Sequence, residues 1–170
     1  MFSIIAAISN NNGIGNKGSI PWNEPDDMRY FRNITSNTTD PTKQNALIMG
    51  RLTYESLKGR RLPNRKMIII SSNDSKSEDV PIFKNLDSTL DYLNGNKSIE
   101  QIFVIGGGKL YSDAILNNRC INLYINRIET ENECDVFFPI IDTDTYELCS
   151  ETRISNKVLA RQYRNKQFKN

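Results

Sequence analysis

The sequence predicts an α/β fold in which one mainly parallel sheet carries helices on its faces. Short apolar runs rich in β-branched residues predict strands that are buried on both sides. Helix-like segments separate these runs, and strands that alternate with helices form βαβ units. The length of 170 residues fits one domain, 1–170, with a core large enough to need no disulfides.

Apolar runs predict six strands. The first begins at Phe2 and stops at an Asn-rich turn that ends in Gly13, while the fourth carries the run Ile102-Phe103-Val104-Ile105. The fifth alternates more than the others, and the sixth is short. The predicted strands span residues 2–9, 46–49, 66–71, 101–105, 121–128 and 146–149.

Four helices are expected between the strands. In the first, Pro25 supplies a helix-starting φ, and the two aspartates that follow suit the positive end of the helix dipole. Met28, Phe31 and Ile34 then recur at a spacing of three, which predicts a buried face. The other helices are expected at residues 53–57, 87–93 and 109–116.

Composition excludes several classes of function. Lys and Arg number 22 against 20 Asp and Glu, so the net charge of +2 provides no broad basic field for nucleic acid. The absence of histidine excludes Ser-His-Asp and Cys-His nucleophiles, and no metal site is predicted. Three cysteines without a CxxC pair indicate free thiols in a reducing, cytoplasmic compartment. No apolar stretch approaches the ~20 residues of a membrane span.

Two glycine-rich segments follow predicted strands. Residues 13–18 match G-x-G-x-x-G, but extended chain follows instead of the helix that a Rossmann site requires, so we interpret them as a mobile loop beside a site. Gly106-Gly107-Gly108 precedes a helix and could admit an anion such as a diphosphate to backbone N–H groups. Tight strand–helix packing is the alternative reading. Gly50-Arg51 also follows a strand, and Arg suits phosphate.

Asp27 is a candidate functional carboxylate. It lies one helical turn before Phe31 and beside Met28, so it could line an apolar pocket and hold a cationic or amidine-like ligand. It could equally be a solvated residue of the first turn. Asp26 competes for the same role on spacing alone, and the residues themselves leave the choice open.

A series of motifs resembles the dihydrofolate reductase family, in family order across about 140 residues. No single motif is enough to indicate the family, but the ordered series of motifs is specific for it. The motifs are Ile4-Ile5-Ala6-Ala7-Ile8, Gly13-Ile14-Gly15, Ile20-Pro21-Trp22, Pro25-Asp26-Asp27-Met28-Arg29-Tyr30-Phe31, Ile48-Met49-Gly50-Arg51-Leu52-Thr53-Tyr54-Glu55-Ser56-Leu57, Leu62-Pro63-Asn64-Arg65, Ile70-Ser71-Ser72, Ile105-Gly106-Gly107-Gly108-Lys109-Leu110-Tyr111 and Asp135-Val136-Phe137-Phe138-Pro139.

The resemblance implies a central, mostly parallel sheet of eight strands and a cis Gly106-Gly107 bond. It implies reduction of 7,8-dihydrofolate to tetrahydrofolate with hydride from NADPH, and Asp27 as the acid that grips the pterin 2-amino group and N3. The proton at N5 would arrive through water. Small molecules, dihydrofolate and antifolates, are the expected partners of a cytoplasmic monomer, with no nucleic acid and no membrane.

Substrate-binding roles carry over by position. Met28, Phe31, Leu57 and Leu62 would wall the pterin and aminobenzoyl groups, and Arg65 would clamp the glutamate α-carboxylate. Ile5 and Ile105 would offer backbone carbonyls to the pterin. The implied substrate-binding set is Ile5, Ala6, Met28, Phe31, Arg32, Leu57, Leu62, Arg65, Ile105 and Asn126.

Cofactor-binding roles carry over in the same way. Residues 14–20 would close over the nicotinamide, Arg51 and Ser72 would meet the 2′-phosphate, and residues 106–108 would cradle the diphosphate. The implied cofactor-binding set is Ala7, Gly13, Ile14, Gly15, Gly18, Ser19, Ile20, Gly50, Arg51, Leu52, Thr53, Ser71, Ser72, Gly106, Gly107, Gly108, Lys109, Leu110 and Tyr111.

The chain departs from the family pattern at two places. Asn126 stands where family members usually carry a Thr that hydrogen-bonds the carboxylate and the pterin, and an amide is larger and less able to relay a proton. The segment 153–170 has six basic residues and no acid, and it lacks the usual apolar alternation. We therefore expect an irregular or weakly paired final strand.

Two other functions are open. A pyrimidine reductase of riboflavin synthesis would share the NADPH loops, but the block from Trp22 to Phe31 with Asp27 would be unexpected there. A non-catalytic protein that binds folate and NADPH, or a polyanion through its tail, is supported only by Asn126 and the basic segment.

Overall fold

The structure, a computed structural model, describes residues 1–73 and 79–168. Its described strands are β1 Phe2–Ser9, β2 Gly13–Gly15, β3 Gln44–Gly50, β4 Arg65–Ile70, β5 Ile82–Phe83, β6 Ile99–Val104, β7 Cys120–Ile128, β8 Val136–Phe137, β9 Tyr146–Arg153 and β10 Val158–Asn165. The helices are α1 Pro25–Ser36, α2 Arg51–Ser56, α3 Leu86–Asn94 and α4 Gly108–Ile115, followed by a short 3-10 turn, Lys166–Phe168.

Eight strands form the central sheet in the order β5-β4-β3-β6-β1-β7-β10-β9. Each pairing is parallel except the two that β10 makes, with β7 and with β9. Strands β2 and β8 form a separate antiparallel pair. The α/β class and the mainly parallel eight-stranded sheet are therefore confirmed.

Apolar side chains pack on both faces of the sheet. On one face Ile4 and Ile8 of β1 belong to a cluster that includes the buried leucines of α3 and the inner side of α4. On the other face Ile5 belongs to a second cluster, against which Phe31 of α1 and Leu57 pack. This two-sided burial explains why the inner strands show continuous apolar runs in the sequence.

The six predicted strands and four predicted helices are present; the first strand has the predicted bounds, and most of the other elements have shifted ends. Strands β2, β5 and β8 were not predicted as strands, because two or three residues are too short to show a period. The predicted buried face of α1 is wrong at one position: Phe31 and Ile34 pack against the apolar cluster, but Met28 is 59% exposed. Helical spacing shows which residues share a face of α1, but it does not show how much of that face the apolar cluster covers.

The expectation of an irregular, weakly paired final strand is wrong. Strand β10 pairs with β7 from Val158 to Arg164 and with β9 from Leu159 to Asn165. Directly opposed residues of two strands point to the same side of a sheet. Val158 and Ala160 are buried opposite Ile128 and Asn126, whereas Tyr163 packs opposite Leu123 on the other face. The buried residues of β10 lie on one face of the sheet at its start and on the other face further along. The sequence of β10 therefore shows no continuous alternation of apolar and polar residues.

The glycine-rich segment after β1 is not followed directly by a helix. Its first residues form β2, and a turn follows in which Asn16 N donates to Ser19 O (2.8 Å) and Ser19 N to Asn16 O (3.0 Å). Helix α1 begins only at Pro25. The rejection of a Rossmann site is therefore confirmed.

Two expectations drawn from composition can be compared with the described residues. Cys120, Cys134 and Cys149 are free thiols, as predicted. Within residues 1–73 and 79–168, no helix combines the length and the apolar character needed to cross a membrane.

Candidate active site

Asp27 lies in the first turn of α1 and meets β7 through one side-chain hydrogen bond. Asn126 Nδ2 donates to Asp27 Oδ1 at 2.9 Å, and Asn126 is only 2% exposed. Burial raises the pKa of the Asp27 carboxyl, the hydrogen bond from Asn126 opposes this, and the negative charge of Glu24 adds to it. The carboxyl therefore holds a proton at higher pH than an ordinary aspartate.

The neighbouring acid, Asp26, has a different environment. Arg29 Nη1 donates to Asp26 Oδ1 at 2.8 Å, and the two side chains are 66% and 42% exposed. An exposed ion pair of this kind stabilises the fold by ~1 kcal/mol at most. Of the two acids that compete on spacing, Asp27 is the one that contacts the sheet.

Some of the implied substrate-binding residues lie on the face of the sheet that carries Ile5, and the others do not. Phe31, Leu57, Leu62 and Ile105 pack around the cluster that contains Ile5. Ala6 is buried on the opposite face, so only its backbone is available to a ligand on the Asp27 side. Met28 and Arg32 lie on the exposed surface of α1.

Tyr111 is buried between α4 and β1. Its hydroxyl donates to Ile5 O at 2.8 Å, and its ring lies 5.0 Å from that of Phe138. Burial, and secondarily the charge of Asp27, raises the pKa of the Tyr111 hydroxyl. The Ile5 carbonyl thus accepts one bond within the protein and has a second lone pair for a ligand.

The remaining α4 residues of the implied cofactor set point in different directions. Leu110 and Tyr111 have buried side chains in the core cluster, so any contact of theirs with a cofactor would have to come from the backbone. Lys109 is exposed. The helical period explains this division, because consecutive residues lie about 100° apart around the helix axis.

Arg65 is a buried cation at the start of β4, 7% exposed. Its Nε donates to Pro63 O (3.1 Å) and its Nη1 to Thr35 Oγ1 (3.0 Å). Burial and then the nearby charge of Arg32 lower the pKa of Arg65. Among the described residues no carboxylate forms a salt bridge with it.

The three glycines after β6 form a closely packed cradle. The Gly106-Gly107 peptide bond is cis, as the resemblance implies, and Gly50 N donates to Gly106 O at 2.8 Å. A Cβ on Gly107 would lie 3.4 Å from Thr53 Oγ1, and one on Gly108 would lie 2.6 Å from Val136 Cγ1. Gly107 caps α4 without a side-chain bond, so the first N–H groups of the helix have no side-chain acceptor there.

The other implied cofactor residues gather near the carboxyl ends of adjacent parallel strands. Gly50 ends β3, and Ser71 and Ser72 follow β4, Ser71 buried and Ser72 exposed. Arg51 Nε donates to Glu55 Oε1 at 2.8 Å, and Leu52 is 80% exposed. Further residues of the set lie on or beside β1 and β2: Ala7, Gly13, Ile14, Gly15, Gly18, Ser19 and Ile20.

Three residues near this face were not identified from the sequence. Thr35 bonds Arg65, while burial, and then the nearby Tyr124, raises the pKa of Tyr30. Tyr124 precedes Asn126 by two residues and so shares its strand face, which is a signal that could have revealed it. Thr35 has no comparable signal, because a buried hydroxyl in a helix looks like any other helical threonine.

Fold and site together define an α/β protein with a half-buried acid beside an apolar cluster and a glycine cradle, at the strand ends where such sheets bind ligands. Comparison with known proteins identifies the family. The family model described as dihydrofolate reductase matches residues 1–169, and the chain belongs to the dihydrofolate reductase family.

Curated relatives are similar over most of this chain. A dihydrofolate reductase of Heliothis virescens is 39% identical over 159 residues, which are 89% of this chain and 86% of that protein. A dihydrofolate reductase of Drosophila melanogaster is 36% identical, with the same coverage of 89% and 86%. A bifunctional dihydrofolate reductase-thymidylate synthase of Daucus carota is 37% identical over 86% of this chain, but only 29% of that protein is covered.

Proposed function

We propose that this chain reduces 7,8-dihydrofolate to 5,6,7,8-tetrahydrofolate with NADPH as the hydride donor. The observation that carries the proposal is the Asp27–Asn126 pair, a half-buried carboxyl held against β7 in a chain of this family. A carboxylate is the acceptor that an amino-pyrimidine edge requires, because it accepts two parallel N–H bonds.

The substrate would span the distance from Asp27 to Arg65. Asp27 would bind the pterin 2-amino group and N3, and Phe31 and Leu57 would contact the aromatic rings. Arg65 would bind the glutamate α-carboxylate with the guanidinium N–H groups that Pro63 and Thr35 do not use. A buried arginine without an acidic partner among the described residues supports this role, because burial of an unpaired charge is costly.

The residues around the glycine cradle fit NADPH. A diphosphate needs backbone N–H donors that it can approach closely, and residues 106–108 have no side chains of their own, although Val136 packs against Gly108. Thr53 faces the cradle, and Arg51 and Ser72, which follow the adjacent strands β3 and β4, would recognise a 2′-phosphate by charge and hydroxyl. The family relation supports the same cofactor.

The chemistry adds a hydride at C6 of the pterin and a proton at N5. Bound NADPH supplies the hydride. Asp27 raises the proton affinity of the pterin through its bonds to N3 and the 2-amino group, and water carries the proton to N5. Because the pKa of Asp27 is raised, the proton-rich form of the site persists to higher pH than a solvated aspartate would allow.

Asn126 can serve the same site in place of the family's usual threonine. Its amide nitrogen is engaged by Asp27, while its Oδ1 is buried without a hydrogen-bond partner among the described residues. A buried acceptor without a donor costs ~1–3 kcal/mol, and the pterin 2-amino group would supply that donor. The substitution therefore preserves a donor for the acid and an acceptor for the ligand.

The proposal is tested by mixing purified protein with NADPH and dihydrofolate and following the near-ultraviolet absorbance of NADPH. We expect turnover that requires both compounds. Binding of both without turnover would favour the non-catalytic function, and turnover only with the pyrimidine substrate of riboflavin synthesis would favour that reductase.

We further propose that the protein is a monomer that acts on small molecules in the cytoplasm. Sedimentation of the pure protein would test the oligomeric state, and imaging of the tagged protein would test the location.

A further inference from the structure

Arg65 is oriented by two hydrogen bonds that it donates, one of them to a buried hydroxyl. Its Nη1 donates to Thr35 Oγ1 at 3.0 Å and its Nε to Pro63 O at 3.1 Å. The guanidinium has five N–H donors in a fixed plane, so these two bonds set the direction of the remaining three. Whatever holds Thr35 in place therefore decides where Arg65 presents its free donors.

The Thr35 hydroxyl makes its hydrogen bonds to Phe31 and to Arg65 in only one orientation. Thr35 is fully buried in the last turn of α1, and its Oγ1 donates to Phe31 O at 2.7 Å. Its single proton is used there, so only lone pairs face Arg65 Nη1. Thr35 thus connects the backbone of α1 with the guanidinium.

Asn45 in turn holds the end of α1 against the sheet. Its side chain is fully buried, and its Nδ2 donates to Thr35 O and to Asn37 O, each at 2.9 Å. Its Oδ1 accepts from Gln101 N at 3.1 Å, where the pairing of β3 with β6 shifts register. One amide therefore ties two helix-end carbonyls to two strands, with each of these donors and acceptors in use.

We propose that Thr35 and Asn45 are positioning residues that aim Arg65 at the terminal carboxylate of the substrate. The inference rests on the proposed function. Two-point recognition of a carboxylate depends on the plane of the guanidinium, and a small misplacement loses one of the two bonds. Arg32 adds positive charge nearby without bonding Thr35.

The test is Thr35→Val, which removes the hydroxyl and preserves the shape. The matched control is Thr89→Val in α3. Thr89 is equally buried and bonds Asn85 O at 2.8 Å, but it does not bond Arg65. Dissociation constants are measured for dihydrofolate and for a dihydropterin that lacks the benzoyl-glutamate arm, together with kcat and the thermal midpoint.

We expect Thr35→Val to weaken dihydrofolate binding about 10-fold, the scale of one hydrogen bond to a charged group, and to leave the truncated ligand and kcat unchanged. Thr35→Ser should restore binding, and Asn45→Leu should weaken it in the same ligand-dependent way. Thr89→Val should change neither ligand. An equal loss for both ligands, or no loss for dihydrofolate, would overturn the inference.

Two further measurements separate this inference from the proposed function. If the wild type binds dihydrofolate and Arg65→Gln weakens that binding, the proposed carboxylate site stands, and an unaffected Thr35→Val refutes only the positioning role. If the wild type does not bind dihydrofolate, the proposed function itself fails. Should Thr35→Val not fold, Thr35→Ala, which also lacks the hydroxyl, provides the same comparison of ligands.

Discussion

The Asp27–Asn126 hydrogen bond joins the acid of the family motif to the residue that replaces the family's usual threonine. Asp27 carries its charge in a half-buried position, which is unfavourable for stability, next to an amide that partly compensates it. A group kept in such a position serves function more than stability. Activity and stability should therefore respond oppositely to its replacement.

Asp27→Asn should reduce turnover at least ~100-fold near neutral pH, the usual scale for positioned proton chemistry. The loss should shrink at low pH, where dihydrofolate arrives already protonated. Steady-state assays across pH would measure it, with Asp26→Asn as the matched control in the exposed ion pair. Wild-type activity in Asp27→Asn together with an inactive Asp26→Asn would contradict the assignment.

Asp27→Asn should also raise the thermal midpoint near neutral pH. Because folding raises the pKa of Asp27, folding favours the protonated form, and this contribution is fully present below the unfolded pKa of about 4. It is lost as pH rises through the folded pKa, so the charged residue destabilises the fold above that point. Melting curves should show a gain at pH 7 that disappears near pH 3, and a gain of equal size at both pH values would refute this.

Asn126→Thr should change turnover by less than ~10-fold, or about 1.4 kcal/mol. A hydroxyl would still donate to Asp27, although the smaller side chain loses packing and the pH–rate profile should shift. Asn122→Thr is the control, since Asn122 lies in the same strand with a buried unpartnered Oδ1 but bonds Ser3 instead of Asp27. An inactive wild type that Asn126→Thr restores would favour the non-catalytic function.

At the scale of elements, the carboxyl ends of β3, β4 and β6 lie side by side because parallel strands end at one edge. The bond from Gly50 N to Gly106 O joins the end of β3 directly to the glycines after β6. Thr53 of α2 faces the glycines that begin α4. A cofactor bound there would contact three segments that are far apart in the sequence.

Arg51→Ala should remove most of a preference for NADPH over NADH and leave the use of NADH nearly unchanged. One charge-assisted bond to a 2′-phosphate corresponds to roughly 10- to 150-fold in kcat/KM. Its bond to Glu55 is exposed and should weaken this effect only slightly. Arg60→Ala, at an exposed arginine after α2, is the control. Equal kcat/KM for the two cofactors in the wild type would contradict the prediction.

For the whole molecule, β10 is the strand that joins β9 to the rest of the sheet. A chain that ends at Arg153 would lose both ladders of β10 and expose the apolar side of β7. We expect it to show no cooperative thermal transition by circular dichroism. A cooperative transition in the shorter chain would show that β10 is dispensable for folding.

The fold class could be predicted from the sequence because it depends on local patterns. Two-sided burial produces continuous apolar runs, and the alternation of such runs with amphipathic segments leaves few topologies. The family motifs predicted the eight-stranded sheet and the proximity of Asn126 to Asp27. For Asp27, the residues alone left the choice with Asp26 open, and the motif decided it.

The sequence by itself determined the α/β class, most of the strands and helices, and the family to which the chain belongs. Only the tertiary structure decided that β10 is a fully paired strand, that Tyr111 points into the core, and that Arg65 bonds Thr35, whose carbonyl Asn45 bonds in turn. The physical reason is the separation in sequence between the groups that make these contacts. A period or a motif is written in neighbouring residues, whereas these contacts join groups from 10 to more than 100 residues apart, whose partners exist only once the sheet has formed.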